Sequence, residues 1–190
     1  MSSLEGLKAK IENYQAYNEQ EQKDKQMMLN YIEKYDNILS RENEIAHFTA
    51  SNWVVNPKKT KVLMAFHKIY QSWAWTGGHS DGEADLLKVA KKELEEETGV
   101  KNAKILKNDI FSLEILTVDG HVKRGKYVSS HVHLNLTYLF EVEEKEILHI
   151  KEDENSGVKW IPIEEIQKAS TEEWIKKNIY SKLNEKLKIN

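Results

Sequence analysis

The sequence predicts a mixed α/β (α+β) fold in which helices pack on a sheet. Stretches rich in β-branched and aromatic residues are typical of strands, and they occupy 48–55, 61–70, 110–118 and 128–142. A helical pattern interrupts these strands at 86–98, and two more close the chain at 163–169 and 171–187. Strands that are broken by one helix and followed by others favour a mixed sheet covered by helices.

Residues 1–42 are predicted to form a helical extension ahead of a domain at 43–190. Leu4, Leu7, Ile11 and Tyr14 recur at helical spacing, and a second apolar series runs over 28–39. Residues 18–26 between them include no apolar residue, so either two helices or one long helix with a solvated middle fits. A cap packed on the domain is favoured over a dimer arm, and a homodimer stays open.

Composition excludes several function classes for this 190-residue chain. With no cysteine there is no disulfide framework, thiolate zinc site or cysteine nucleophile. A net charge of −3 lacks the basic excess of nucleic-acid-binding domains. No apolar run is long enough for a membrane span, and the N-terminus lacks a signal-peptide pattern. We therefore expect a cytoplasmic protein with neither a nucleic-acid nor a membrane partner.

The most informative feature is a glutamate-rich helix over 86–98. At about 100° per residue, Glu93, Glu96 and Glu97 share one face near its C-terminal end. Like charges at this spacing repel, and the C-terminal end of a helix disfavours anions. A bound divalent cation would reverse both effects, and clustered carboxylates select Mg²⁺ or Mn²⁺. The pattern therefore indicates a magnesium or manganese site.

Signals at both ends of this helix define its bounds. Asp81 or Asp85 is a candidate N-cap, and Gly99 lies where a helix-terminating glycine belongs. Glu95 is expected to face solvent. The predicted apolar stripe consists of Leu87, Ala90 and Leu94.

The segment resembles the Nudix box of the Nudix (MutT-like) hydrolases, G-x5-E-x7-R-E-U-x-E-E-x-G-U with U aliphatic. Gly78, Glu93, the Glu96-Glu97 pair and Gly99 fall on matching positions. Similarity in the flanking sequence extends over about residues 41–175. Two positions depart from the pattern: Ala84 replaces a glutamate, and Lys92 replaces the arginine and lacks its bidentate fork.

The resemblance implies a Nudix-type α/β/α sandwich with a mixed sheet. It also implies Mg²⁺- or Mn²⁺-dependent cleavage of a pyrophosphate bond in a nucleoside diphosphate derivative, such as a nucleoside triphosphate or a nucleotide sugar. The implied metal ligands are Glu93, Glu96, Glu97 and the Gly77 carbonyl. Glu93 and Glu154 are the candidate catalytic residues, with Glu152 as the second candidate from the same loop.

Candidate substrate-binding residues lie outside the glutamate helix. Alternation over 128–142 places His131, His133, Asn135 and Thr137 on one strand face. We predict that His131 and His133 contact substrate, together with His79 and Trp75. A His-x-His pair without a third ligand is a weak zinc signal, so no zinc is assigned here.

Two other functions share this fold. One is a non-catalytic nucleotide-binding sensor, which the departures at Ala84 and Lys92 would favour. The other is a relative of isopentenyl-diphosphate isomerase, which would need a catalytic cysteine that this chain lacks.

Overall fold

The computed structural model describes residues 3–123 and 125–189. Its helices are α1 (Leu4–Asn13), α2 (Glu19–Lys34), α3 (Leu86–Thr98), α4 (Ile166–Ala169), α5 (Glu173–Ile175) and α6 (Ser181–Leu187). Its strands are β1 (Ala46–Val55), β2 (Lys61–His67), β3 (Ser72–Ala74), β4 (Thr76–His79), β5 (Lys104–Ile105), β6 (Ser112–Val118), β7 (His121–Lys123), β8 (Lys126–Val128), β9 (His131–Glu141) and β10 (Asn155–Pro162).

The chain divides into two compact units. The first comprises Met1–Ser51, Gly78–Val89 and Asp109–Thr137, and the second comprises Asn52–Gly77, Ala90–Asn108 and Tyr138–Asn190. Strands β1 and β9 and helix α3 contribute residues to both. The division at 42/43 into an extension and a domain stays a prediction. Of the residues in these two ranges, Met1, Ser2, Arg124 and Asn190 lie outside the described part of the chain.

In the first unit, the polar stretch after α1 starts a second helix instead of linking two helices. The Asn18 side chain caps α2 by accepting a hydrogen bond from the Glu21 amide at 2.9 Å. Glu21 is fully buried, and its Oε2 accepts from the Tyr14 hydroxyl and the Tyr17 amide, each at 2.7 Å. A buried carboxylate with satisfied hydrogen bonds thus replaces the apolar contact that the periodicity required.

Strand β9 pairs antiparallel with β6 in the first unit, from Ser112↔Thr137 to Val118↔His131. The polar face predicted for this strand has two parts. Asn135 and Thr137 are buried, and both donate hydrogen bonds to Oε2 of the buried Glu114, at 3.1 and 3.0 Å. These two side chains therefore belong to an internal network, whereas His131 and His133, nearer the N-terminal end of the strand, are half-buried.

In the second unit, β2 pairs antiparallel with β10 on one side and with the end of β1 on the other. β3 pairs antiparallel with the C-terminal half of β2. The core contains Trp53, which is fully buried and stacks on Tyr180 at a centroid distance of 5.2 Å. Tyr180 lies in a π-helical segment, Lys176–Tyr180, which joins α5 to α6 where the sequence predicts one continuous helix.

Within the described residues, no helix combines the length and the apolar character needed to cross a bilayer.

Candidate active site

Helix α3 begins directly after Asp85, which is one of the two predicted N-caps. The Asp85 side chain is 3.4 Å from the Lys88 amide, and the Asp85 carbonyl accepts from the Val89 amide at 3.1 Å. Asp81 instead forms a two-pronged ion pair with Arg41, at 2.7 and 2.5 Å.

Leu87 is only half-buried, so the predicted apolar stripe is shifted. The buried side chains of this helix are Leu86, Val89, Ala90, Leu94, Glu97 and Thr98.

Gly99 ends the helix as predicted. Its φ is +76°, a left-handed conformation that favours glycine, and its amide donates to the Glu95 carbonyl at 2.8 Å. A Cβ at this position would lie 2.7 Å from Cδ2 of His149. The chain therefore turns sharply directly after the glutamates and passes close to another loop.

We expect Gly99→Ala to lower the free energy of unfolding by about 2 kcal/mol, because it combines left-handed strain with a steric clash. Gly125→Ala is the matched control: Gly125 has the same φ of +76°, but apart from its chain neighbours no described residue lies within 4 Å of an added Cβ. The control should lose only about 1 kcal/mol. Urea denaturation measures both, and equal losses would show that the His149 contact contributes nothing.

Glu97 is the most deeply buried of the three predicted acids, at 5% exposure. Its Oε1 accepts a hydrogen bond from the Gly77 amide at 2.8 Å. Burial raises the pKa of Glu97 to about 8, despite the lowering effect of that hydrogen bond; the charges of Glu93 and Glu154 also raise it. A carboxyl group buried this way is unfavourable as an anion unless a cation is nearby.

Lys151 supplies a positive charge among these acids. Its ammonium Nζ lies 3.1 Å from Glu154 Oε2 and 3.6 Å from Glu96 Oε2. Burial opposes the charged form, but the hydrogen bond to Glu154 and the nearby carboxylates together raise the pKa of Lys151. The pKa of Glu93 is raised by burial, an effect that Lys151 partly offsets. The structure thus gathers all four acids of the prediction around one ammonium group, all within the second unit.

The two departures from the Nudix pattern have separate structural outcomes. Lys92 Nζ is 3.4 Å from Glu96 Oε1, one turn further along α3, so the lysine still pairs with a box glutamate, through a single contact. Ala84 is buried, where a glutamate would need a partner. Next to it, Glu83 accepts from the Asp85 amide at 3.0 Å and pairs with Lys88 at 2.6 Å, which supports the start of the helix.

The histidines predicted to bind substrate form a cluster in the first unit with a fourth that the sequence reasoning missed. His47 on β1 has its ring centroid 5.1 Å from that of His79 and 5.0 Å from those of His131 and His133. Burial lowers the pKa of His47, and burial together with the other histidines lowers the pKa of His133 to about 2. At neutral pH His47 and His133 therefore offer neutral imidazoles, which act as ligands or hydrogen-bond partners.

Trp75 is not part of this cluster. It lies in the second unit, half-buried, with its ring edge-on to Tyr180 at 5.5 Å and to Trp53 at 6.5 Å. Its indole thus makes aromatic contacts in the core, and substrate contact through its remaining surface stays a prediction.

Together, three acids of helix α3 and Glu154 from a later loop surround one ammonium group and can provide hard oxygen ligands for a divalent ion. The Gly77-Gly78 pair that precedes this helix lies in strand β4, and Gly99 ends the helix. The profile of the NUDIX domain matches residues 46–183 of this chain. The chain belongs to the Nudix family. The resemblance inferred from the glutamate helix is confirmed, and so is the hydrolase class that this family carries.

Relatives of this Nudix chain agree with that assignment. The RNA pyrophosphohydrolase of Pelagibacter ubique (strain HTCC1062) is 30% identical over 141 residues, which cover 71% of this chain and 87% of the relative. Two solved structures show the same fold at low identity. The Caenorhabditis elegans Ap4A hydrolase in a binary complex has a TM-score of 0.54 at 17% identity, covering 75% of this chain and 95% of its own. The Mycobacterium smegmatis Nudix hydrolase RenU has a TM-score of 0.55 at 12% identity, covering 75% and 86%.

These likenesses confirm the predicted mixed α+β fold of Nudix type. Two side chains that sequence reasoning did not single out stand within the candidate sites, Lys151 among the acids and His47 among the histidines. Lys151 had a weak signal, because a lysine in an acidic loop next to a predicted catalytic glutamate is well placed to pair with it. His47 lies in a stretch of strand sequence that is similar to that of the Nudix family, but the other histidines of the cluster are distant from it in sequence.

Proposed function

We propose that this Nudix protein hydrolyses a pyrophosphate bond in a nucleoside diphosphate derivative, with Mg²⁺ or Mn²⁺ as cofactor. The observation that carries the proposal is the gathering of Glu93, Glu96, Glu97 and Glu154 around the ammonium of Lys151. Such a set of acids is costly in a metal-free fold and suited to a hard divalent cation.

The donor set fits the proposed ion. The donors are carboxylates, and one of them, Glu97, is buried with a pKa near 8. The ion pair between Lys151 and Glu154 shows that the electrostatic environment among these acids favours a positive charge. Glu93, Glu96, Glu97 and the Gly77 carbonyl would hold the metal. When bound, it would neutralise diphosphate oxygens and lower the pKa of a water molecule.

The chain's own residues provide the proton transfer and the ordering of the site. Glu93 and Glu154 are the proposed proton acceptors; the raised pKa of Glu93 brings it closer to the neutral range in which a general base works best. Lys151 orients Glu154 through their 3.1 Å ion pair. The Gly77 amide fixes the carboxyl group of Glu97 at 2.8 Å.

A small nucleotide is the proposed substrate, and the known relatives suggest which derivatives to test first. The names of two of them concern an RNA pyrophosphate group and Ap4A. The expectation that nucleic acid is not a partner remains a prediction, as do a cytoplasmic location and a homodimer. Contacts of His79, His131, His133 and Trp75 with substrate are likewise predictions.

The decisive experiment is a screen for release of phosphate and pyrophosphate, measured separately. The substrates are nucleoside triphosphates, nucleotide sugars, Ap4A and 5′-triphosphorylated RNA, each with Mg²⁺, with Mn²⁺ and with a chelator. We expect metal-dependent turnover of at least one substrate, abolished by the chelator. Nucleotide binding without turnover would instead identify a sensor. A separate incubation with isopentenyl diphosphate, followed by NMR, would identify an isomerase if the double bond moved.

We also expect the affinity for Mg²⁺ to fall as the pH is lowered, because the ion must displace the proton of Glu97. With a pKa of about 8, Mg²⁺ should bind about tenfold more weakly at pH 7 than at pH 9. Isothermal titration calorimetry in buffers of different ionisation enthalpy would give both the affinity and the number of protons released. An affinity that does not vary over this range would show that Mg²⁺ displaces no proton from Glu97.

A further inference from the structure

The histidine cluster of the first unit contains a buried nitrogen atom with no partner. His47 is 3% exposed, and its Nε2 has no hydrogen-bond partner within the residues that the structure describes. A buried polar atom in this state costs free energy, and such atoms in native proteins are usually satisfied by a water molecule or an ion. The unsatisfied nitrogen belongs to the ring that lies about 5 Å from each of the other three.

The hydrogen bonds on the opposite side of two rings determine which nitrogen carries the proton. His47 Nδ1 is 3.0 Å from the Asn43 carbonyl oxygen, and His131 Nδ1 is 2.8 Å from the Ser129 carbonyl oxygen. A carbonyl oxygen only accepts, so both Nδ1 atoms carry hydrogen, and in the neutral rings both Nε2 atoms present lone pairs. A backbone carbonyl holding the far nitrogen of a histidine is the usual support for a metal-ligating ring.

The distances are close to those of a metal site. One nitrogen each from His47, His79 and His133 can be chosen such that all lie within 4.8 Å of one another. His131 stands beside them: its Nε2 accepts a hydrogen bond from Nε2 of His133 at 3.2 Å. Ligand bonds of 2.0–2.1 Å to a tetrahedral zinc ion place nitrogens about 3.3 Å apart, so metal binding would draw the three nitrogens closer together.

We propose that His47, His79 and His133 form a second metal site, which takes a divalent transition-metal ion such as Zn²⁺, with His131 beside it. An all-imidazole donor set suits zinc, nickel, copper or iron, whereas magnesium prefers oxygen ligands. The site is thus chemically distinct from the glutamates of helix α3, and it does not rest on the hydrolase activity proposed above. His-x-His alone could not reveal it, because it supplies only His133, and the other two ligands come from β1 and β4, more than 80 and more than 50 residues earlier in the sequence.

Cobalt provides the test, because Co²⁺ replaces zinc and a histidine site gives it a visible absorption band. Protein without a histidine tag is stripped with a chelator and titrated with Co²⁺, and the band is then displaced with Zn²⁺. The variants are His79→Gln and His133→Gln, and the matched control is His121→Gln on β7, which removes a histidine of the same unit outside the cluster. Circular dichroism confirms that each variant is folded.

We expect a saturable band in the wild-type chain and in the control, and binding weakened more than about 100-fold in both cluster variants, which exceeds the loss caused by an outer-shell change. Glu97→Gln should leave the band unchanged, which separates this site from the acidic one. Absence of a band in the wild-type chain, equal binding in the cluster variants, or loss of the band in Glu97→Gln would each overturn the proposal.

Discussion

Glu97→Gln is expected to lower the rate of metal-dependent hydrolysis by about 10³-fold, the scale on which one preorganised electrostatic group contributes. Glutamine keeps an oxygen that accepts the Gly77 hydrogen bond, so the geometry around Gly77 is preserved. It lacks the negative charge that would bind the metal. Initial rates at saturating Mg²⁺, together with calorimetric Mg²⁺ affinity, would separate loss of the ion from loss of chemistry.

The matched control is Glu95→Gln, which makes the same change on the same helix at an exposed position. Its rate should stay within about twofold of the wild-type rate, since exposed substitutions away from a site have small effects. Equal rates for the two variants, or a fully active Glu97→Gln, would remove Glu97 from the mechanism.

Glu97→Gln should also stabilise the metal-free fold, and the direction of this change in stability follows from the pKa of Glu97. Its value of about 8 in the folded chain lies above the ordinary 4.5, so between these values the folded state holds more protons than the unfolded state. Stability therefore falls as the pH rises through this window. The free energy of unfolding of Glu97→Gln should exceed that of the wild type by up to about 4 kcal/mol near pH 7.5, and the two should be equal below about pH 4.5. Urea denaturation in chelator measures this difference.

Features that depend on neighbours in sequence could be predicted well. The start of α3 at Asp85, its end at Gly99 and the shared face of Glu93, Glu96 and Glu97 all follow from helical geometry and local capping. The Nudix resemblance rests on these same local features. The N-terminal pattern shows the limit of this reasoning, because α2 begins in an apolar-free stretch where Glu21 replaces the expected apolar contact.

Features that depend on packing could not be predicted. The ammonium of Lys151 reaches Glu96 from a loop 55 residues further along the chain, and no periodicity encodes that distance. His47 comes from a different strand from His133, and the structure brings them together through the fold of the first unit. Trp75 is predicted to contact substrate, but the local sequence could not show that Trp53 and Tyr180 lie against it.

Glu154→Gln is expected to lower kcat by about 10²-fold and leave the affinity for Mg²⁺ nearly unchanged. Its carboxylate lies 3.1 Å from the Lys151 ammonium and raises the pKa of Glu97, which places it next to the proposed ligands. Removal of a general base costs roughly 10²- to 10⁴-fold, and the lower end applies because Glu93 remains as an alternative proton acceptor. The pH profile of kcat should also lose part of its acidic limb, an effect that a merely structural role would not produce.

Two neighbours in the same loop make the comparison specific. Asp153→Asn changes an exposed acid by the same amount of charge and should leave kcat unaltered. Glu152→Gln tests the rival assignment, since Glu152 is also exposed and its backbone carbonyl accepts a hydrogen bond from Lys68. A large loss of kcat in Glu152→Gln with normal turnover in Glu154→Gln would transfer the role to Glu152. Equal, small effects in all three would leave Glu93 as the sole proton acceptor and contradict the assignment of Glu154.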